Sequence, residues 1–171
     1  MEKKFVAGLL IFLLSGVGFV FAGDADDIAK HPECPYCGMD RAKFAHSRML
    51  FTYEKGTEIG FCSIRCAAVD LALILDKVPT YYGVGDYNTK KLIDAEKAIW
   101  VIGGDKMGVM TRQAKWAFAN KKDAEAFIKS HGGKLATFEE ALEATYAGMY
   151  QDDKMIREKR KMMKEKMKKK Q

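Results

Sequence analysis

Hydrophobic and polar residues follow short, regular patterns in the first half of the chain, and these patterns predict a hairpin and a helix. Residues 47–54 are rich in β-forming side chains, Lys55 and Gly56 form a turn signal, and residues 58–61 continue extended, which indicates a β-hairpin. Residues 64–75 are rich in alanine and leucine, with apolar side chains on most faces, which is typical of a buried helix. The chain therefore passes from a hairpin directly into a helix.

Residues 81–87 predict a strand that follows this helix and completes a first β-β-α-β unit. The second half of the chain repeats this order. Residues 98–102 and 113–119 predict another pair of strands, residues 121–130 predict a helix with one apolar face, and residues 134–136 predict a short final strand. Strands and helices thus occur twice in the order β-β-α-β.

These elements predict an α+β fold made of two β-β-α-β units, at about residues 34–88 and 92–136, followed by C-terminal helices. A capping box of Thr137 and Glu140 opens the first of those helices. The tail at residues 150–171 is rich in methionine and lysine, and its composition predicts a solvated, frayed helix that adds nothing to the core.

The N-terminus carries the pattern of an export signal. Two lysines precede an apolar run at residues 5–21, which closes on Ala22 and predicts a cleaved signal peptide at residues 1–22. An uncleaved membrane anchor is the alternative, because the run is almost long enough to span a bilayer. The cleavage region has no cysteine that could be acylated. We expect a periplasmic or otherwise exported protein with a flexible lead at residues 23–33 and one metal-binding domain at residues 34–149.

Charge is unevenly distributed along the chain, whose formal net charge is +6. Residues 154–170 carry ten basic and two acidic side chains, whereas residues 23–153 carry 17 basic and 20 acidic ones. A mildly acidic body argues against nucleic-acid binding, which usually requires basic residues clustered on a folded face. The basic tail is suited to weak contact with an anionic membrane surface.

All four cysteines occur in two short motifs, Cys34-x2-Cys37 and Cys62-x3-Cys66. The first spacing lets two thiolates on a tight loop converge on one ion, and the second brings another pair to it across the first turn of a helix. The arrangement resembles a treble-clef finger around a four-thiolate metal site, and the helix dipole would favour thiolates in the second pair. Two alternatives stay open, namely a pair of disulfides and a closed structural zinc site.

Methionines favour copper over zinc, because thioether sulfur is a good ligand for Cu(I) and a poor one for Zn(II). Met39 lies two residues after Cys37, and Met107 and Met110 follow a Gly-Gly-Asp turn where a loop would be exposed. Packing in the core is the alternative role for these methionines. His46, just before the first strand, is a further candidate ligand.

Motifs of catalysis are absent from the sequence. It contains no Gly-rich phosphate loop, no nucleophile elbow and no haem-attachment histidine after either cysteine pair. A thioredoxin-type redox role would need Cys-x2-Cys at a strand-to-helix junction, whereas a turn follows Cys34. We therefore do not expect an enzyme.

The cysteine motifs, which read Cys-Pro-Tyr-Cys-Gly-Met and Phe-Cys-Ser-Ile-Arg-Cys, occur together with Lys106-Met107-Gly108 and with apolar segments near residues 92–101 and 124–133. In this combination the chain, from about residue 33 to residue 142, resembles the NosL family of accessory proteins of nitrous oxide reductase. The cysteine-containing half also looks like the heavy-metal-binding modules known as TRASH and YHS domains.

The NosL resemblance implies two β-β-α-β units like the organomercurial lyase core, and a role in delivering Cu(I) for the assembly of a copper centre. The family's Cys-Gly-Met motif falls on Cys37, Gly38 and Met39, and its Met-Gly motif falls on Met107 and Gly108. Three features depart from the family pattern: the second cysteine pair, the Met/Lys tail, and the lack of a lipoprotein cysteine.

The leading hypothesis is a non-enzymatic Cu(I)-binding chaperone whose partner is an exported copper enzyme or its assembly complex. One alternative is a structural-zinc interaction domain in the same compartment. The other is a thiol or organometal lyase-like enzyme, which fold analogy alone suggests. The candidate metal ligands are Cys34, Cys37, Cys62, Cys66, Met39 and Met107.

Overall fold

A computed structural model describes residues 26–169 of the protein. The signal peptide predicted at residues 1–22 lies outside the described residues. The helices and strands are, in chain order, α1 (Asp26–Lys30), β1 (Met49–Thr52), β2 (Glu58–Phe61), α2 (Ile64–Leu73), β3 (Tyr81–Gly85), β4 (Leu92–Asp94), β5 (Ile99–Ile102), β6 (Lys115–Phe118), α3 (Lys121–His131), β7 (Lys134–Ala136) and α4 (Phe138–Lys168).

The first sheet has four antiparallel strands in the order β2-β1-β3-β4. A short 3-10 turn, Glu54–Gly56, connects β1 to β2, and the left-handed backbone of Gly56 (φ 74°) helps to close it. β1 is flanked on both sides, because Phe51 pairs with Ile59 of β2 and with Tyr82 of β3. The predicted hairpin is therefore present.

The second sheet has three antiparallel strands in the order β6-β5-β7. As in the first sheet, the first strand of the unit lies between its hairpin partner and the strand that follows the helix. Trp100 and Val101 of β5 are buried, and Phe127 of α3 packs into the same core. The predicted α+β fold with two β-β-α-β units is confirmed.

The boundary between the two units differs from the prediction. The sequence predicts that the second unit begins at about residue 92. In the structure β4 belongs to the first sheet, where Ile93 pairs with Val84 of β3. Asp94 ends that strand, because its carboxylate accepts hydrogen bonds from the backbone N–H groups of Glu96 (3.0 Å) and Lys97 (3.4 Å). The second unit therefore begins with β5.

The two sheets are joined where β3 ends beside β6. The backbone N–H of Tyr87 donates to the carbonyl of Ala117 (2.8 Å), and the buried carboxylate of Asp86 accepts a hydrogen bond from the N–H of Ala119 (2.8 Å). The Tyr87 ring packs edge-on against Phe127, with 4.9 Å between ring centroids. Hydrogen bonds and aromatic packing thus unite the two units around one core.

The segment before the first cysteine contains a short helix, α1, so the prediction of a flexible lead is wrong for residues 26–30. α1 brings the carboxylate of Asp27 to two fully buried guanidinium groups, at 2.7 Å from Arg41 and 2.9 Å from Arg48. Buried cations require a paired anion, and Asp27 supplies it. The polar composition of the segment concealed this buried ion pair.

The last helix, α4, runs without interruption from Phe138 to Lys168 and begins with the predicted capping box. The buried carboxylate of Asp152 accepts a hydrogen bond from the backbone N–H of Arg112 (2.8 Å). The folded body therefore extends beyond the domain end predicted at residue 149. No helix within residues 26–169 is both long enough and apolar enough to cross a membrane.

Removing the charge of Asp27 should destabilise the fold. Burial would raise the pKa of Asp27, but hydrogen bonds and charges from Arg48 and Arg41 outweigh it and hold that pKa below 3.8. An Asp27→Asn variant removes the carboxylate that pairs with both buried guanidinium groups, so we expect its free energy of unfolding at neutral pH to fall by about 3 kcal/mol or more. Urea denaturation measures this loss.

The stability lost in Asp27→Asn should depend on pH and should be smaller in acid than at neutral pH. Because the folded-state pKa of Asp27 is lowered, its contribution is complete at neutral pH and disappears as the pH falls below 3.8. The gap in stability between wild type and Asp27→Asn should therefore narrow in acid. Asp26→Asn, which removes a partly exposed ion pair with Lys30, is the matched control and should cost well under 1 kcal/mol. Equal losses in the two variants would contradict the assignment.

Candidate metal centre

The sulfur atoms of the four cysteines lie close together, all within 4.8 Å of one another. The Sγ of Cys62 is 3.4 Å from that of Cys37 and 3.7 Å from that of Cys66. Cys34 and Cys37 come from the loop between α1 and β1, Cys62 follows β2, and Cys66 lies in the first turn of α2. Two segments that are distant in sequence thus meet at one point.

A tight turn brings the first cysteine pair together. The backbone N–H of Gly38 donates to the carbonyl of Cys34 (2.8 Å), and the N–H of Cys34 donates to the carbonyl of Met39 (2.9 Å). Gly38 has a φ of 70°, a left-handed conformation that favours glycine. The glycine after Cys37 is therefore a requirement of the turn that shapes the site.

The junction between β2 and α2 positions the second pair. Ser63 is the N-cap residue of α2, but its hydroxyl makes no capping hydrogen bond and lies 3.8 Å from the Sγ of Cys62. The N–H of Cys66 donates to the carbonyl of Ser63 (3.1 Å), which forms the first turn. Cys62 and Cys66 are four residues apart across this turn, so their side chains meet.

A buried arginine holds the two cysteine segments in register. Arg41 donates from Nε to the carbonyl of Phe61 (3.2 Å), just before Cys62, and from Nη2 to the carbonyl of Met49 in β1 (3.0 Å). Its other N–H groups donate to the carbonyls of Asp27 (2.8 Å) and His31 (2.6 Å) and to the Asp27 carboxylate. All five donors of the guanidinium are used.

A second polar contact ties the first cysteine loop to α2. The phenol of Tyr36, between the first two cysteines, donates to the carboxylate of Asp70 in α2 (2.5 Å), and the phenol of Tyr53 donates to the other oxygen of that carboxylate. Asp70 is 1% exposed, so the two phenols supply the hydrogen bonds that a buried carboxylate needs. Burial raises the pKa of Tyr36, and the hydrogen bond to Asp70 and the charge of Asp70 raise it further. The phenol therefore stays protonated and can donate this hydrogen bond.

The distances between the sulfurs fit one thiophilic ion. A tetrahedral ion with metal–sulfur bonds of about 2.3 Å separates its sulfur ligands by roughly 3.8 Å. The observed separations of 3.4 and 3.7 Å, within a cluster of 4.8 Å, match this spacing. All four cysteines are free thiols, so the disulfide alternative does not describe this structure.

The pKa values of the thiols differ between the two pairs. Hydrogen bonds from Cys37, Cys62 and Cys66 lower the pKa of Cys34. Hydrogen bonds to Cys34 and Cys37, together with burial, raise the pKa of Cys62 and of Cys66. Burial and the neighbouring sulfurs therefore oppose ionisation of the second pair, and the effect of the helix dipole on these thiols stays a prediction. A cation among the sulfurs would favour thiolates at all four positions.

Arg65 places a positive charge beside the site. Its pKa is raised, because the interactions of its guanidinium with Cys66 and with the carboxylate of Asp153 in α4 outweigh the effect of burial. Its guanidinium forms an ion pair with Asp153, and its side chain is only 12% exposed. Arg65 thus offsets part of the negative charge that several thiolates would bring, and it links the second cysteine pair to α4.

Exposure differs among the four cysteines. Cys34 is 2% exposed and both Cys62 and Cys66 are fully buried, whereas Cys37 is only partly buried. A metal ion at the site would therefore be held by three fully buried or nearly buried cysteines and by one that is partly exposed.

The other predicted ligands lie in different environments. Met39 is partly buried in the first cysteine loop, Met107 is 79% exposed in the loop between β5 and β6, and Met110 packs partly against the core. The ring of His46 packs against Trp116, with 5.4 Å between centroids, and His46 is not part of the cysteine cluster. Ligation by Met39 or Met107 stays a prediction.

Sequence reasoning missed the residues that support the cysteines. Asp70 was detectable, since it is a single acidic residue in an otherwise apolar stretch of α2 after Cys66. Tyr36 lies inside the first motif and could have been noted as a phenol close to the metal. Arg41 and Arg65 had no such signal, because nothing in the local sequence separates a buried arginine from a solvated one.

The protein has an α+β fold with two β-β-α-β units, and its four thiols cluster between a tight Cys-x2-Cys turn and the N-terminus of a helix. These features define a candidate thiolate metal-binding protein. Comparison with family models narrows this class. The NosL family model matches residues 25–146, which is most of the chain. The protein belongs to the NosL family.

A solved structure also resembles the chain. The crystal structure of the copper chaperone NosL from Shewanella denitrificans has 31% sequence identity to it, covers 63% of this chain and 87% of that chain, and has a TM-score of 0.48. No curated protein matches the chain significantly.

Loss of the Tyr36 hydroxyl should weaken metal binding without removing a ligand. In Tyr36→Phe the first cysteine loop is no longer tied to Asp70, so we expect the affinity for a thiophilic ion to fall about tenfold or more, as for other residues that support metal ligands. Competition with a chromophoric chelator measures the affinity. Tyr150→Phe removes the same hydroxyl from a residue that is 75% exposed and should leave affinity unchanged. Equal affinity of both variants and wild type would contradict the role of Tyr36.

Proposed function

We propose that the protein is an exported accessory protein that binds Cu(I) and holds or delivers it for maturation of a copper enzyme such as nitrous oxide reductase. The proposal rests on the convergence of four free thiols within 4.8 Å. Membership of the NosL family supports the copper assignment and the accessory role. The export pattern at residues 1–22 supports a periplasmic location. The proposed ligands are Cys34, Cys37, Cys62 and Cys66, with Met39 or Met107 as an exchangeable thioether.

The four cysteine sulfurs are soft donors, so only a few metal ions suit the site. Thiolate sulfur selects Cu(I) and Zn(II), whereas harder cations prefer oxygen ligands. Zinc is the alternative that the complete set of four sulfurs favours, because structural zinc sites are closed and four-coordinate. Copper is preferred here because thioether donors of Met39 and Met107 match Cu(I), and because a cargo ion needs a ligand that can be exchanged.

Cys37 is the proposed point of exchange. As the one partly exposed thiol of the cluster, it can be replaced by a ligand from the recipient while the three buried sulfurs still hold the ion. Met39 lies in the same loop and is the proposed thioether that holds the ion in place of Cys37 until the ligand of the recipient binds. Transfer then proceeds through a series of ligand replacements, so the ion is never released to water.

Metal content tests the identity of the cargo. The protein isolated without oxygen should bind one Cu(I) per chain and should exchange bound zinc for Cu(I) when both ions compete. The measurement is elemental analysis combined with titration against a chromophoric Cu(I) chelator. Zinc retained through this competition, with no uptake of copper, would contradict copper delivery and support the structural-zinc alternative.

Two serine variants test the proposed roles of the sulfurs. Cys37→Ser should keep Cu(I) bound on three sulfurs with a modest loss of affinity, whereas Cys62→Ser should lose at least about tenfold more. The reason is that Cys62 is fully buried and lies near both Cys37 and Cys66. Stopped-flow transfer to a chelator should also be faster from Cys37→Ser. Equal losses of affinity in both variants would contradict an exchangeable position at Cys37.

A further inference from the structure

The end of α4 projects from the folded body. Asp152 is buried and Ile156 is partly buried, but every residue from Arg157 to Lys169 is exposed. At 1.5 Å per residue, this segment adds roughly 20 Å of helix beyond the last contact with the body. We call residues 157–169 the projecting helix.

The projecting helix has one strongly basic face. Five basic side chains fall within one half of the circumference of a regular helix, and together with Glu165 they line a shallow surface depression. Within residues 26–169 they form no ion pair with a carboxylate. The basic side chains of this face are Arg157, Arg160, Lys161, Lys164 and Lys168.

The methionines of the projecting helix lie around the rest of its circumference, from Met162, roughly opposite Arg160, to Met167, which lies beside Arg160. We call this side the methionine face. Met162, Met163 and Met167 are 52%, 61% and 66% exposed and occur together in one short segment. They continue the line of Met155 and Ile156, which are partly buried against the body. Lys159 and Lys166 lie between Met162 and Met163 around the helix, and Lys169 lies beside Met162. Their long stems can lie along an apolar surface while the ammonium groups reach polar surroundings.

Charge decides which ligand suits this surface. Residues 154–170 carry ten basic and two acidic side chains, so a metal cation would be repelled before it reached the thioethers. A nucleic acid would satisfy the charge but would not bury the methionine face. An anionic phospholipid surface satisfies both, because its headgroups attract the cations and its interfacial region accepts the apolar side chains.

We propose that the projecting helix binds to the surface of membranes that contain anionic phospholipids. The helix lies in the plane of the interface, with the methionine face towards the acyl chains and the basic side chains among the headgroups. Arg65, next to Cys66, pairs with Asp153 in the same helix. The cysteine cluster would therefore be held within about 25 Å of the bound segment, given the rise of 1.5 Å per residue. The proposal does not depend on the metal or on copper delivery.

Vesicle binding of charge variants tests the proposal. The protein is isolated from cells with its N-terminus defined by mass spectrometry, so that all variants share the same start. Sedimentation measures binding to vesicles of equimolar phosphatidylglycerol and phosphatidylcholine, and to vesicles of phosphatidylcholine alone. Replacing Arg160, Lys161, Lys164 and Lys168 by glutamine should lower the partition coefficient on the anionic vesicles on the order of 100-fold. Added salt should weaken wild-type binding in parallel.

A matched variant controls for net charge. Replacing Lys55, Lys122, Lys129 and Lys134 by glutamine removes the same charge from exposed positions on the body and should lower binding only slightly. Equal losses in the two quadruple variants, or equal binding of wild type to both vesicle types, would overturn the proposal.

The methionine face is tested separately. Met162→Ser combined with Met163→Ser should weaken vesicle binding by about tenfold, because two apolar side chains no longer enter the interface. The Cu(I) content of this variant should equal that of wild type. Unchanged vesicle binding with reduced copper content would overturn the proposal and assign the methionines to metal capture.

Discussion

The fully buried guanidinium of Arg41 is the contact on which the metal centre depends. It joins α1, β1 and the end of β2, so both cysteine segments are fixed to the same point. Asp27 balances its charge, and Gly60 leaves room for it, since a Cβ at Gly60 would lie 2.5 Å from the guanidinium carbon. A buried charge that loses its partners is costly, so Arg41 must keep these contacts. Because the contacts fix both cysteine segments, they also fix the positions of the cysteines.

Electrostatic balance explains the polar residues around the sulfurs. Four thiols within 4.8 Å cannot all ionise without a cation, and the fold provides partial compensation through Arg65 beside Cys66 and through Arg41 near Cys34. Asp70 lies on the same helix as Cys66 but is hydrogen-bonded by two phenols, so its carboxylate serves to hold the first cysteine loop. The site is thus rigidly supported and short of positive charge, a combination that favours binding of a metal ion.

Sequence patterns predicted what is local and periodic. The hairpin before Cys62, the helix after it, and the capping box at Thr137 were all readable, because each depends on neighbouring residues. The convergence of the four cysteines followed from motif spacing. The ion pair of Asp27 with Arg41 and Arg48, and the pairing of β4 with β3, were missed, because they depend on long-range contacts that composition does not reveal.

X-ray absorption at the copper edge of the loaded protein tests the central claim most directly, because it reports which atoms coordinate the ion. The account predicts monovalent copper with a first shell of three or four sulfurs and no nitrogen or oxygen, and a loss of sulfur neighbours when Cys62 is replaced by serine. A first shell of nitrogen or oxygen, or one that is the same with and without the cysteines, would contradict it.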